Sequence, residues 1–143
     1  NAMPLFARLT ALRDVIAKHA TLPVRISRPD DTPGIYVWPW RIEEDTRVRS
    51  TPLPRSADSD PLISAPAPAI HFLVLASTNL DGETIAAIES ARRSLLETPV
   101  FEVGNGRVSV MPATLSTSEL TDLFTAAAIL LRLCLAYTLR STG

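Results

Sequence analysis

One stretch of this 143-residue chain leaves little choice about where it can sit. Ile70-His71-Phe72-Leu73-Val74-Leu75-Ala76 follows a proline-rich region and is an almost continuous apolar run. A strand with water on one face alternates polar and apolar side chains, so a run without alternation has to be covered on both faces. It is expected at the centre of a sheet, and the rest of the chain must supply its neighbours and its cover.

Helical cover is easy to find. Leu5, Leu9, Leu12 and Ile16 form one stripe between Pro4 and His19, with Arg8, Arg13, Asp14 and Lys18 mostly off it,. Pro4 suits a first helical position, where its missing N–H costs nothing. Asp81 reads as the N-cap of a second helix to about Glu97, with Ile85, Ile88, Ala91, Leu95 and Leu96 inward,. Thr98-Pro99 stops it. Ser116-Thr117-Ser118-Glu119 is a capping box opening a third helix, expected to run to about Leu130,. Beyond Arg132 the period changes to two: Leu133, Leu135, Tyr137 and Leu139 alternate with Cys134, Ala136, Thr138 and Arg140, which predicts a final strand,.

The remaining strands are short. Val24 to Ser27 and Ile35 to Ile42 flank the turn-forming stretch Arg28 to Gly34, and Pro39 places the second of them at a sheet edge or at a bulge,. Val100 to Val103 and Arg107 to Met111 flank Gly104-Asn105-Gly106, a hairpin signal because Asn and Gly tolerate positive φ,. The expected class is therefore α+β: a single mixed or antiparallel β-sheet with three helices packed on it. Residues 1–3 read as an expression-tag scar ahead of Met3, and residues 4–140 as a single domain with a long Pro-rich loop at 43–69. Pro52, Pro54, Pro61, Pro66 and Pro68 lie in that loop, and loops this long in a compact domain are usually functional or disordered,.

Composition excludes several function classes. A net charge of -1 removes the overall field of a dedicated nucleic-acid or anionic-membrane binder,. One cysteine and two histidines cannot build a disulfide framework or a four-ligand zinc site,. The most apolar stretch, Ala126 to Tyr137, is interrupted by Arg132 and falls short of the roughly 20 residues a membrane span needs,. No leader pattern follows Met3, so the expected compartment is the cytoplasm.

Candidate chemistry is sparse. Cys134 sits among leucines and reads as a structural thiol,. His71 lies within the most apolar strand, where a satisfied core histidine is the expected role, and His19 sits at the last turn of the first helix, where positive charge is favoured,. The acidic groups at Asp30-Asp31, Glu43-Glu44-Asp45 and Asp58-x-Asp60 lack the ligand spacing of a metal loop,. No glycine-rich phosphate loop is present, and no catalytic residue, cofactor or metal is expected,. Trp38 and Trp40 project to one face of a strand, as half-buried packing or as a partner-binding pair,.

Several stretches taken together resemble the N-terminal domain of the tail-cap proteins of contractile injection particles. They are Arg47-Val48-Arg49-Ser50-Thr51-Pro52-Leu53-Pro54, Ala69 to Val74, Leu95-Leu96-Glu97-Thr98-Pro99-Val100, the capped helix Leu115 to Phe124, and Leu135-Ala136-Tyr137-Thr138-Leu139-Arg140. Phe124 stands where that family commonly has Trp. The resemblance implies a tail-terminator-like fold and a non-enzymatic role: a homo-oligomeric ring of six copies that ends polymerisation of a tail tube and links it to sheath. It implies tube and sheath proteins as partners, while the charge balance and the short apolar stretches lead to no expectation of a membrane or nucleic-acid partner. Trp38, Trp40, Arg47, Arg49, Arg55 and Arg140 are the residues expected at the assembly interface. The competing expectation is a small ligand-binding module or enzyme using His71 and the Trp38/Trp40 face; its sign would be a closed pocket with His71 exposed in it.

Overall fold

In the computed structural model, which describes residues 4–44 and 67–142, the apolar run lies at the middle of the sheet. The elements in chain order are α1 (Leu5–Ala17), β1 (Val24–Ile26), β2 (Gly34–Glu43), β3 (Ala69–Ser77), α2 (Asp81–Glu97), β4 (Val100–Val103), β5 (Gly106–Pro112), α3 (Thr117–Ala126) and β6 (Leu135–Ser141). They form a six-stranded sheet in the order β1-β2-β3-β6-β5-β4, with β1 parallel to β2 and every other pair antiparallel. Among the described residues the fold is α+β with a mixed sheet and three helices, as expected.

Both faces of β3 are covered. Ile70, Phe72, Val74 and Ala76 enter the larger core beneath α1 and α2, with Val37, Val110, Tyr137 and Leu139 from neighbouring strands. Leu73 and Leu75 enter a smaller core on the opposite face with Tyr36, Trp38 and Phe124 of α3. α1 touches β1 and also β4, the two outermost strands of the sheet. A flat six-stranded sheet would hold these about 24 Å apart at the usual strand spacing, so the sheet must curl around α1.

Local rules account for the details. Pro39 lies beyond the last residue of β2 that β1 pairs, Val37, and the β2–β3 register shifts between Pro39 and Arg41; among the described residues the proline thus has both an unpaired edge and a bulge,. The turn-rich stretch after β1 does not make a hairpin. β1 is only three residues long, so a short connection can double back and set β2 parallel to it, and the Ile35 amide reaches the Pro23 carbonyl at 2.8 Å. A Cβ on Gly34 would lie 3.1 Å from that carbonyl oxygen, tighter than most contacts allow. In the β4–β5 hairpin Val103 pairs with Gly106, and Gly104 carries the positive φ of +59°.

Three expectations need correction. Asp81 is the first residue of α2 rather than its cap; Leu80 precedes it in extended conformation, and Asp81 and Glu83 face the positive helix end instead,. Arg8 is not off the buried stripe: its side chain is fully buried and Nη1 donates to the Pro68 carbonyl at 2.8 Å, just ahead of β3. Burial holds its pKa below the ordinary arginine value. The third helix ends at Ala126, four residues early, and β6 begins at Leu135, two residues after the strand pattern starts at Leu133. Between them Ala128 takes a left-handed φ of 59° that ends the helix without glycine or proline,.

Candidate assembly surface

The expected interface residues do not form one patch. Trp38 is buried, its ring edge-on to Phe124 at 5.6 Å, so it holds α3 against the sheet. Trp40 shares that face across the bulge and is half-buried, tilted against the His71 ring at 5.6 Å. Arg140 is exposed on β6. Arg47, Arg49 and Arg55 lie outside the described residues, as does most of the Pro-rich stretch.

His71 is the centre of a polar line between strands. Its Nε2 is 2.6 Å from Glu43 Oε1, and its Nδ1 is 3.0 Å from Thr138 Oγ1. With the carboxylate ionised, Nε2 carries the hydrogen and donates to Glu43, leaving Nδ1 to accept from the Thr138 hydroxyl. That bond, and next the charge of Arg41, hold the Glu43 carboxyl below its usual range. A hydroxyl, imidazole and carboxylate in line resemble a nucleophilic triad. Here, however, Thr138 is buried and faces His71 directly across the β3–β6 ladder. The adjoining cavity is about 140 Å³, well under the roughly 300 Å³ at which ligand pockets begin,. What the line does is join β2, β3 and β6 where β2 ends and β3 begins, at the two roots of the segment 45–66.

A second polar network fixes the opposite end of the sheet. The buried Tyr36 hydroxyl lies 2.6 Å from both Asp30 Oδ1 and the Thr32 carbonyl. Its bond, with the Thr32 amide at 2.7 Å, keeps the Asp30 carboxyl below its ordinary value, while burial and then Asp30 push the Tyr36 phenol up. Ser77 Oγ donates to the Asp30 carbonyl and accepts from Arg132 Nη1 at 2.9 Å. Arg132 is thereby anchored in the middle of the irregular stretch between α3 and β6.

Around Arg132 lies what the sequence reading missed. Leu130, Leu131 and Leu133 are 84%, 53% and 58% exposed, and Ile85 and Leu96 of α2, expected inward, are 59% and 62% exposed. The buried residues of α2 are Ala87, Ile88, Ala91, Ser94 and Leu95, so Ile85 and Leu96 belong to the outer stripe. Helical spacing contained that signal, since Ile85 and Leu96 are eleven positions apart and fall about 20° from one another around the helix. Leu133 and Ile85 line one groove at the start of α2. At its other end Arg92 and Leu96 line a second of about 560 Å³, with Pro99, Leu115, Leu120 and Cys134. Burial pushes the Cys134 thiol above its ordinary pKa, consistent with a structural thiol rather than a nucleophile,.

Among the described residues no cluster of side chains could hold a metal ion, and no helix is long and apolar enough to cross a membrane. His19 lies one residue past the α1 C-cap and pairs with Glu97 Oε2 at 2.6 Å, which ties the ends of α1 and α2 together.

A sequence-family profile for the Pvc16 N-terminal domain matches residues 7–142. Two solved structures share the fold. One is the sheath/tube terminator, in its extended state, of the extracellular contractile injection system PVC; the TM-score is 0.65 at 17% identity, covering 100% of this chain and 58% of that one. The other is the tube-terminating cap of the anti-feeding prophage, with a TM-score of 0.69 at 16% identity, covering 99% of this chain and 56% of that one. The chain thus spans less than two thirds of the length of either. No curated protein sequence matches it.

Proposed function

The chain belongs to the Pvc16 N-terminal-domain family, and on that premise we propose that it is a structural assembly protein: the cap of a contractile, phage-tail-like injection particle. It ends polymerisation of the tail tube and joins the tube to the sheath. The observation that carries this reading is the fold, which matches two tube-terminating proteins over 99% or more of the chain. The role is non-enzymatic, and the polar line through His71 serves it as a clasp between strands.

A cap must sit on a symmetric tube, so its copies form a closed ring by heterologous contacts, in which one surface meets a different one on the neighbour. Six copies suit that role. β2 offers one such surface: beyond Val37 its outer edge has no strand neighbour among the described residues, and Ile42 and Arg41 are exposed there. An extended segment can pair with that edge up to the interruption at Pro39. Trp40 and Arg140 add contacts at the same end of the sheet, and Arg47, Arg49 and Arg55 are proposed to contribute to the interface. The protein acts in the cytoplasm before it joins the particle.

The test is polymerisation of the cognate tube protein with and without this chain. Shorter tubes of uniform length, with the chain located at their ends, are expected. Tubes of unchanged length with no bound chain would overturn the reading.

A further inference from the structure

The outer stripe of α2 reads Ile85, Glu89, Arg92, Leu96, and all four residues are exposed. Their spacing of four, three and four is that of the a and d positions of a coiled-coil seam and runs about 16 Å along the helix. Read backwards, the stripe is its own complement. Laid antiparallel on a second copy, Ile85 meets Leu96 and Glu89 meets Arg92, twice over; laid parallel, Glu89 would face Glu89 and Arg92 would face Arg92. Within one chain Arg92 Nη1 and Glu89 Oε1 are 3.3 Å apart, so the two charges already lie side by side where a neighbour would meet them.

The ends of the stripe also match. At the Ile85 end stands the exposed Leu133, preceded in the chain by the exposed Leu130 and Leu131; at the Leu96 end is the apolar-lined groove of about 560 Å³. Antiparallel packing brings Leu133 of each copy to the partner's groove. Large aliphatic side chains exposed this far are the kind of surface that a partner covers,.

We propose that two copies of this chain associate through antiparallel α2 helices about a two-fold axis passing between Ser90 and Ala91, with the exposed Leu133 of each copy seated at the Leu96 groove of the other. This pairing is a property of the free chain, distinct from the heterologous contacts of a ring, and covers its apolar strip before assembly.

Sedimentation equilibrium of the purified chain, without tube or sheath protein, tests it. A dimer that dissociates reversibly on dilution is expected. Arg92→Glu places four carboxylates together and weakens the dimer about tenfold, whereas Glu89→Arg/Arg92→Glu restores wild-type affinity. Ile85→Asp raises the dissociation constant at least a hundredfold, since it buries a charge at the seam. All these positions are exposed in the monomer, and circular dichroism verifies that each variant is folded. A monomer at every concentration, a larger assembly indifferent to Ile85→Asp, or a double variant that fails to restore dimerisation would each overturn the proposal. The first would assign the strip to a different protein. Because no tube protein is used, the cap reading can fail while this one stands, and the reverse.

Discussion

The buried hydrogen-bonding residues do much to set how the irregular parts of the chain are held. Tyr36 is fully buried, and its hydroxyl ties the stretch before β2 to the sheet. Tyr36→Phe keeps the ring packing and loses only that tie, so a loss of about 1 kcal/mol in urea unfolding is expected. Glu97 makes a second kind of contact: the hydrogen bond from His19, and next that from Arg93, holds its carboxyl below the usual range. A carboxylate with a lowered folded pKa adds stability at pH values above its unfolded pKa, near 4.3, and loses it as pH falls through the folded value. Glu97→Gln is therefore expected to lower the Tm at pH 7 and to converge on wild type as the pH drops below about 4. A constant difference across that range would remove the carboxylate from the account. Of these roles the sequence showed little, because Asp30, Ser77 and Arg132 are far apart in the chain and meet only after folding.

Elements were legible where a local rule fixes them. The capping box at Ser116 forms as expected: the Ser116 hydroxyl accepts from the Glu119 amide at 3.0 Å, and Glu119 reaches back to the Ser116 amide at 3.2 Å. Ser116→Ala should cost about 1 kcal/mol by thermal unfolding. The far end of the same helix was not legible. Leu133 fits the strand period, yet the β3–β6 ladder runs only from Val74↔Leu135 to Ile70↔Leu139. The chain leaves α3 through the left-handed Ala128, and Leu133 remains exposed beside Ile85 instead of joining the ladder. A left-handed alanine is strained by its Cβ, so Ala128→Gly is expected to raise stability by roughly 0.5–1 kcal/mol. A destabilised Ala128→Gly variant would show that the helix end is held in some other way.

At the scale of the molecule, α1 closes the sheet. It touches β1 and β4 at opposite ends of the strand order, and Leu12 and Ile16 on its inner face are fully buried. Leu12→Ala is expected to cost about 2–5 kcal/mol, the range for a large core deletion, and to speed amide exchange in both outer strands. If only β1 loosened, α1 would not be what joins the two edges. The sequence by itself determined the helices, the hairpin, the proline bulge, the central strand and, through resemblance, the family, because each follows from residues near one another or from a pattern spread along the chain. Only the tertiary structure decided that β1 runs parallel, that Arg8 is buried, that Trp38 packs inside, and that Ile85, Leu96 and the leucines after Ala128 face water. Periodicity records which side chains share a face. Which faces find a partner depends on how the sheet curls and where each ladder stops, and that is set by contacts between distant parts of the chain.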